Sequence, residues 1–150
     1  MAIEFGSRRA VLTAFLAFTL LGCDSSVARP SLDRVDATAC EVAPMARQLA
    51  VELRAAVTAT KRGDAVGVAN AAAHARELSR LIADAIRGLN EEPTSRTVVI
   101  TMWSIVNFGE QMGFFFGEAP NPDDLLGFDA NLSALDTVIA EFEKAVPPNC

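Results

Sequence analysis

The chain has 150 residues, a length that suits one domain with one hydrophobic core. Hydrophobic residues make up 51% of it, tyrosine is absent, and the abundance of alanine favours helix over strand. The formal net charge is −6, and an acidic domain repels phosphates, so we expect no nucleic acid partner.

The charge is distributed unevenly along the chain. Residues 41–90 hold seven basic and five acidic side chains, a net charge of +2, whereas residues 91–150 hold two basic and ten acidic side chains, a net charge of −8. Two interpretations are open. The favoured one is attraction between two halves of one helical bundle, and the other is an acidic face that binds a partner.

The first 23 residues have the pattern of an export signal. Arg8 and Arg9 precede an apolar run of twelve residues, 10–21, which is too short for a membrane span of about 20 residues. The run leads into Leu-Leu-Gly-Cys at positions 20–23, which resembles the lipobox of bacterial lipoproteins. That resemblance implies cleavage before Cys23 and fatty acylation of its sulfur. Alternatives are an ordinary secretory signal or a buried N-terminal helix.

If the lipobox resemblance holds, the mature protein is exported and anchored by lipid at Cys23. The folded domain would face the periplasm or the cell exterior. The segment around Arg8 and Arg9 is also similar to a twin-arginine signal, so the export route stays open. Residues 24–37 contain two serines, a proline and alternating charge, and this composition predicts a flexible tether of about 20 Å.

Two cysteines remain once Cys23 is acylated. Cys40 and Cys150 bracket the predicted folded segment, and cysteines in an oxidising compartment commonly pair. We therefore predict a Cys40–Cys150 disulfide. Free thiols are an alternative, and a metal-binding pair is a weaker one because the chain has no Cys-x-x-Cys spacing and one histidine.

Apolar residues at helical spacing predict four helices, over residues 39–61, 65–89, 94–116 and 122–146. In the first, Thr38 and Glu41 have capping-box spacing, and Pro44 is expected to delay the regular start of the helix, because its missing N–H is tolerated only in the first turn. Gly63 ends this helix and Asp64 caps the second.

The third helix has no charged residue from position 97 to 109. A membrane span is one interpretation, but a polar stripe and Glu110 favour a central bundle helix.

The fourth helix starts at a cap followed by Pro122 and two acids, and it stops at Pro147. Short connections between amphipathic helices predict an all-α, antiparallel four-helix bundle in residues 38–150, behind a signal peptide in 1–22 and a tether in 23–37.

The most unusual segment is residues 108–117, where three glycines share one helical face and three phenylalanines are consecutive. The glycines would let another helix approach, with the alanine face of the second helix as the candidate. Three consecutive rings cannot all face one core, since neighbouring positions point about 100° apart. The favoured interpretation is that the segment forms a tight helix crossing in which the rings fill space, and the other is that it forms a contact site. For the contact site, the candidates are Trp103, Phe108, Phe114, Phe115 and Phe116.

We find no arrangement of residues typical of catalysis, and we expect no metal, no other cofactor and no enzymatic activity. His74 lacks metal-ligand partners in sequence, and Glu110 is expected to face outward rather than into a pocket. The preferred function is a lipid-anchored extracytoplasmic accessory protein that holds a protein partner or a small apolar ligand. A structural or inhibitory envelope lipoprotein without ligand, such as a phage-type exclusion factor, is the alternative, and an enzyme comes third.

Overall fold

The computed structural model describes residues 34–87, 89 and 96–150. They form four α-helices, which we name α1 (Arg34–Lys61), α2 (Ala65–Ile86), α3 (Arg96–Gly117) and α4 (Phe128–Ala145), with a 3-10 helix at Pro122–Leu125. The predicted signal peptide, Cys23 and the tether up to residue 33 lie outside the described residues.

The helices pack as the predicted antiparallel four-helix bundle. α1 packs against α2 and α2 against α3, while α4 contacts α1 and α3. The core is filled by large side chains that are almost completely buried: Phe116, Phe142, Leu49, Leu53, Ile82, Ile86, Met102, Ile105 and Leu135. Burial of one apolar stripe from each helix is the main stabilising term of such a fold.

α1 begins at Arg34, five residues before the predicted start. The Thr38 hydroxyl donates a hydrogen bond to the carbonyl oxygen of Arg34 at 2.9 Å, so Thr38 lies inside the helix. The predicted capping box is therefore wrong, and residues 34–37 belong to α1 rather than to the tether. The physical reason is burial: Thr38 and Ala39 pack into the bundle, and the helix must extend past them.

Pro44 lies in the interior of α1, not in its first turn as predicted. Its missing N–H leaves the carbonyl of Cys40 without its usual helical donor. The ring faces solvent, whereas Val42, Ala43 and Ala46 are buried on the opposite side. Packing of that face holds the helix continuous through the proline.

The joint between α1 and α2 forms as predicted. Gly63 adopts a left-handed backbone with φ of 68°, and the Asp64 carboxylate accepts a hydrogen bond from the backbone N–H of Gly67 at 2.8 Å. The two cap the ends of their helices and allow the tight reversal that makes α1 and α2 antiparallel neighbours.

The predicted fourth helix is divided in two. Residues Pro122–Leu125 form a single 3-10 turn, where the Asp124 carboxylate accepts a hydrogen bond from the backbone N–H of Asn121 at 2.8 Å. Gly127 then adopts φ of 82°, a conformation that breaks the helical path, and α4 starts at Phe128. The prediction of one continuous helix over 122–146 is wrong in its first six residues.

Candidate functional site

The three consecutive phenylalanines divide between core and surface. Phe116 is 1% exposed and packs edge-to-face on Phe128, with ring centroids 4.9 Å apart. Phe115 is half-buried and stacks on the same Phe128 ring at 5.1 Å. Phe114 is 64% exposed. Phe116 is therefore a core residue and leaves the set of candidate contact residues.

Of the remaining candidates, Phe108 is half-buried and packs against the core. Trp103 is 40% exposed. Trp103 and Phe114 are thus the most exposed aromatic side chains of α3. The structure brings them onto one face, three helical turns apart.

The glycine face of α3 packs closely against α2, as the sequence predicted. A Cβ added at Gly109 would overlap the Ser79 hydroxyl and lie 2.8 Å from Leu49 Cδ2, and one at Gly113 would lie 2.5 Å from Arg76 Cγ. These close approaches set the rotation of α3 about its own axis. The opposite face of α3 is consequently turned outward.

We expect Gly109→Ala to lower the free energy of unfolding by about 1–3 kcal/mol, because the added methyl group collides with Ser79 and Leu49 in a packed interior. Urea unfolding measures this. The matched control is Gly117→Ala, whose Cβ would meet only the mobile end of Arg76 at 3.4 Å and should be close to neutral. Adding Ser79→Ala should restore part of the loss, and a Gly109→Ala variant as stable as wild type would contradict the close crossing.

The outward face of α3 carries a line of exposed residues. We name it the α3 ridge and define it as Ile100, Trp103, Asn107, Glu110 and Phe114. Between Ile100 and Phe114, every other residue except Gln111 is buried or half-buried. Ile100 is 51% exposed, so three of the five ridge positions are large apolar side chains in water.

Polar groups beside the ridge are already bonded within the helix. The Thr101 hydroxyl donates to the carbonyl oxygen of Thr97 at 2.8 Å, and the Ser104 hydroxyl donates to that of Ile100 at 3.0 Å. A partner that covered this face would therefore leave neither hydroxyl without a hydrogen-bond acceptor, which lowers the desolvation cost of binding. Glu110 is exposed, as predicted, and is the one charged residue of α3 after Arg96.

The charges on the other helices form surface ion pairs. Arg47 pairs with Glu143 and Arg54 with Asp136, so both pairs join α1 to α4. They agree with the interpretation that the basic and acidic halves of the chain attract each other. The two partners in each pair are substantially exposed, and such pairs contribute little to stability.

α2 carries its own row of exposed charges. The Arg80 guanidinium donates to the carboxylates of Glu77 and Asp84. The hydrogen bond from Arg80 holds the pKa of Glu77 below its ordinary value, and it raises the pKa of Arg80 itself. This arrangement is typical of a solvated helix face with i,i+3 and i,i+4 pairs.

His74 is also a surface residue. Its Nδ1 atom lies 3.5 Å from Glu52 Oε2, and more than half of the imidazole is exposed. Among the residues that the structure describes, no three His, Cys, Asp or Glu side chains are grouped as metal ligands would be.

A shallow cleft of about 380 Å³ lies between α1 and α4. Its walls are mostly polar and charged, and they include Arg54, Lys61, Asp129 and Asp136. None of the candidate aromatic residues lines it. A small apolar ligand would need an apolar cavity, so the exposed ridge is the better candidate for a contact site.

Cys40 and Cys150 lie within disulfide-bonding distance, as the sequence predicted. Their Cα atoms are 5.4 Å apart, within the range that a disulfide requires. The contact joins α1 to the segment that follows α4, so it holds the two ends of the described domain together.

No helix within residues 34–87 and 96–150 is long and apolar enough to cross a membrane. Comparisons of the chain with protein-family models, with curated proteins and with solved structures found no significant match.

Proposed function

We propose that this protein is a lipid-anchored extracytoplasmic accessory protein, and that the α3 ridge is its contact surface. The apolar exposure of Ile100, Trp103 and Phe114 on one ridge is the observation that carries the contact role. Apolar side chains aligned on one exposed face are typical of interaction sites, whereas isolated ones are ordinary surface. The proposed export and lipid anchoring depend on the lipobox-like sequence that ends in Cys23.

A macromolecular contact fits the ridge better than a small apolar ligand does. The interior next to the ridge is filled by Met102, Ile105 and Phe116, each 1% exposed or less. The ridge is convex, and a convex surface cannot enclose a small molecule. It can lie against a second surface of complementary shape.

We expect Cys23→Ser to abolish acylation and membrane retention while leaving the bundle folded, because the buried core described in the structure is built from residues 38–142. Incorporation of labelled fatty acid and fractionation of cells measure both effects. Ser25→Ala is the control, since it changes a residue just after the lipobox-like sequence without removing a thiol, and it should keep the protein on the membrane. Equal retention of wild type and Cys23→Ser would contradict the lipid anchor.

A further inference from the structure

We propose that the Cys40–Cys150 disulfide is a reversible clasp that holds the first part of α1, residues 34–43, on the bundle. Reduction of the bond releases this segment, with Pro44 as the hinge, while the rest of the bundle stays folded. The inference uses neither the α3 ridge nor the lipid anchor, and it depends on the predicted bond between the two cysteines, whose Cα atoms are 5.4 Å apart.

Pro44 separates residues 34–43 from the remainder of α1. It has no N–H group, so the carbonyl oxygen of Cys40 lacks the donor that closes an α-helical turn. The proline ring also disfavours the helical conformation of Ala43, the residue before it. The backbone of α1 is therefore weakest at this point, and the carbonyl that lacks its donor belongs to one of the two cysteines.

Small side chains make the packing of residues 34–43. The buried residues of this segment are no larger than valine: Thr38, Ala39, Val42 and Ala43. The remainder of α1 buries two leucines, Leu49 and Leu53. Because stabilisation by burial grows with the apolar area removed from water, the segment gains little to offset the conformational entropy that is lost when its ten residues are ordered.

The ion pairs that join α1 to α4 both lie after Pro44. Arg47 pairs with Glu143, and Arg54 pairs with Asp136, so neither pair holds the segment before the proline. A helix of ten residues is unstable in water unless tertiary contacts support it. The covalent bond is therefore the main link between the segment and the rest of the bundle.

A short segment connects the second cysteine to α4. The helix ends at Ala145, and five residues lead from there to Cys150. Val146 is half-buried against the core, whereas residues 148–150 are exposed. While the bond is intact, Cys40 cannot move farther from the end of α4 than these five residues permit.

The bond is accessible to a dithiol reductant, because Cys150 is exposed and Cys40 is half-buried. A thiolate of the reductant attacks the Cys150 sulfur and forms a mixed disulfide, and Cys40 leaves as a thiolate that takes up a proton. The second thiol of the reductant then attacks its own sulfur in the mixed disulfide and releases Cys150. Two electrons and two protons pass to the cysteines, and the dithiol becomes a disulfide.

Release of the segment would uncover apolar residues at one end of the bundle. Since α1 and α2 are antiparallel neighbours, the start of α1 lies beside the end of α2, where Ile86 is 2% exposed. Val42, which is fully buried in the bridged protein, would leave this interior with the segment. The oxidised protein is thus closed at this end, and the reduced protein presents an apolar surface there.

Hydrogen exchange of backbone amides tests the release. The full chain with Cys23→Ser keeps Cys40 and Cys150 as its two cysteines, so a reductant acts on one bond. In the reduced protein, we expect the amides of residues 38–43 to exchange within about tenfold of the rate of an unfolded peptide, and those of residues 71–86 to stay protected at least about a hundredfold. In the oxidised protein, both sets should be strongly protected.

Pro44→Ala in the same chain tests the hinge, because alanine supplies the N–H group that Cys40 lacks and favours the helix. In the reduced variant, the amides of residues 38–43 should exchange at least about tenfold more slowly than in the reduced protein that keeps the proline. The control is Val51→Ala, at a residue of α1 that is 53% exposed and lies after the proline. It supplies no missing hydrogen bond and should leave this exchange unchanged.

Four results would overturn the proposal. Persistent protection of residues 38–43 after reduction would mean that packing alone holds the segment. Loss of protection throughout α2 as well would make the bundle one cooperative unit. Free alkylation of Cys40 and Cys150 in the oxidised protein would show that no bond forms, and equal exchange with and without Pro44→Ala would remove the hinge. None of these results bears on the lipid anchor, because every variant lacks Cys23.

Discussion

Replacement of Cys40 and Cys150 by serine is expected to lower the free energy of unfolding by about 4–5 kcal/mol. The two cysteines are separated by 110 residues, so a bridge between them closes nearly the whole described domain. In the chain-entropy model, closing a loop of that length removes a large part of the conformational freedom of the unfolded chain. A loss of this size is a large fraction of the 5–15 kcal/mol that is typical of a folded domain.

Urea unfolding of the purified protein, with and without reductant, measures the effect. Reductant should destabilise the wild type and leave the doubly substituted variant unchanged, which separates loss of the bridge from loss of cysteine packing. The single variants Cys40→Ser and Cys150→Ser should resemble the double variant, because either one prevents the bridge. Insensitivity of the wild type to reductant, or free alkylation of both thiols in the native protein, would contradict the disulfide.

Phe116→Ala is expected to lower the free energy of unfolding by about 3–5 kcal/mol, whereas Phe114→Ala should change it by no more than about 0.5 kcal/mol. Phe116 is 1% exposed and packs on Phe128, so its removal leaves a cavity and loses an aromatic contact. Phe114 is 64% exposed, so its removal leaves no cavity. Thermal or urea unfolding of the two variants gives the comparison.

Phe115→Ala supplies the intermediate case, because its half-buried ring stacks on Phe128 at a centroid distance of 5.1 Å. Its loss of stability should fall between those of the other two variants. Comparable and large losses in all three variants would mean that the whole aromatic segment is structural. In that outcome Phe114 would not belong to a contact surface, and the α3 ridge would lose its most exposed ring.

The joint between the first two helices and the approximate extent of three helices could be predicted from the sequence. Gly63 and Asp64 are local signals, because a left-handed glycine and a capping carboxylate act on their immediate neighbours. Two features were not predicted: the helix break at Gly127 and the start of α1 at Arg34. Gly127 sits in a segment whose apolar spacing continues across it, and Arg34 precedes any apolar periodicity.

Sequence alone determined the all-α class and the four apolar stripes, because both depend on spacing along the chain. The Cys40–Cys150 pair was expected for another reason, because these two cysteines remain once Cys23 is acylated in an exported chain. Spacing gives the angles between residues of one helix, but it does not say which face turns inward. Tertiary packing decided that: the contact of Gly109 with Ser79 and Leu49 sets the rotation of α3. That rotation buries Phe116 and leaves Phe114 in water, although the two residues are chemically identical.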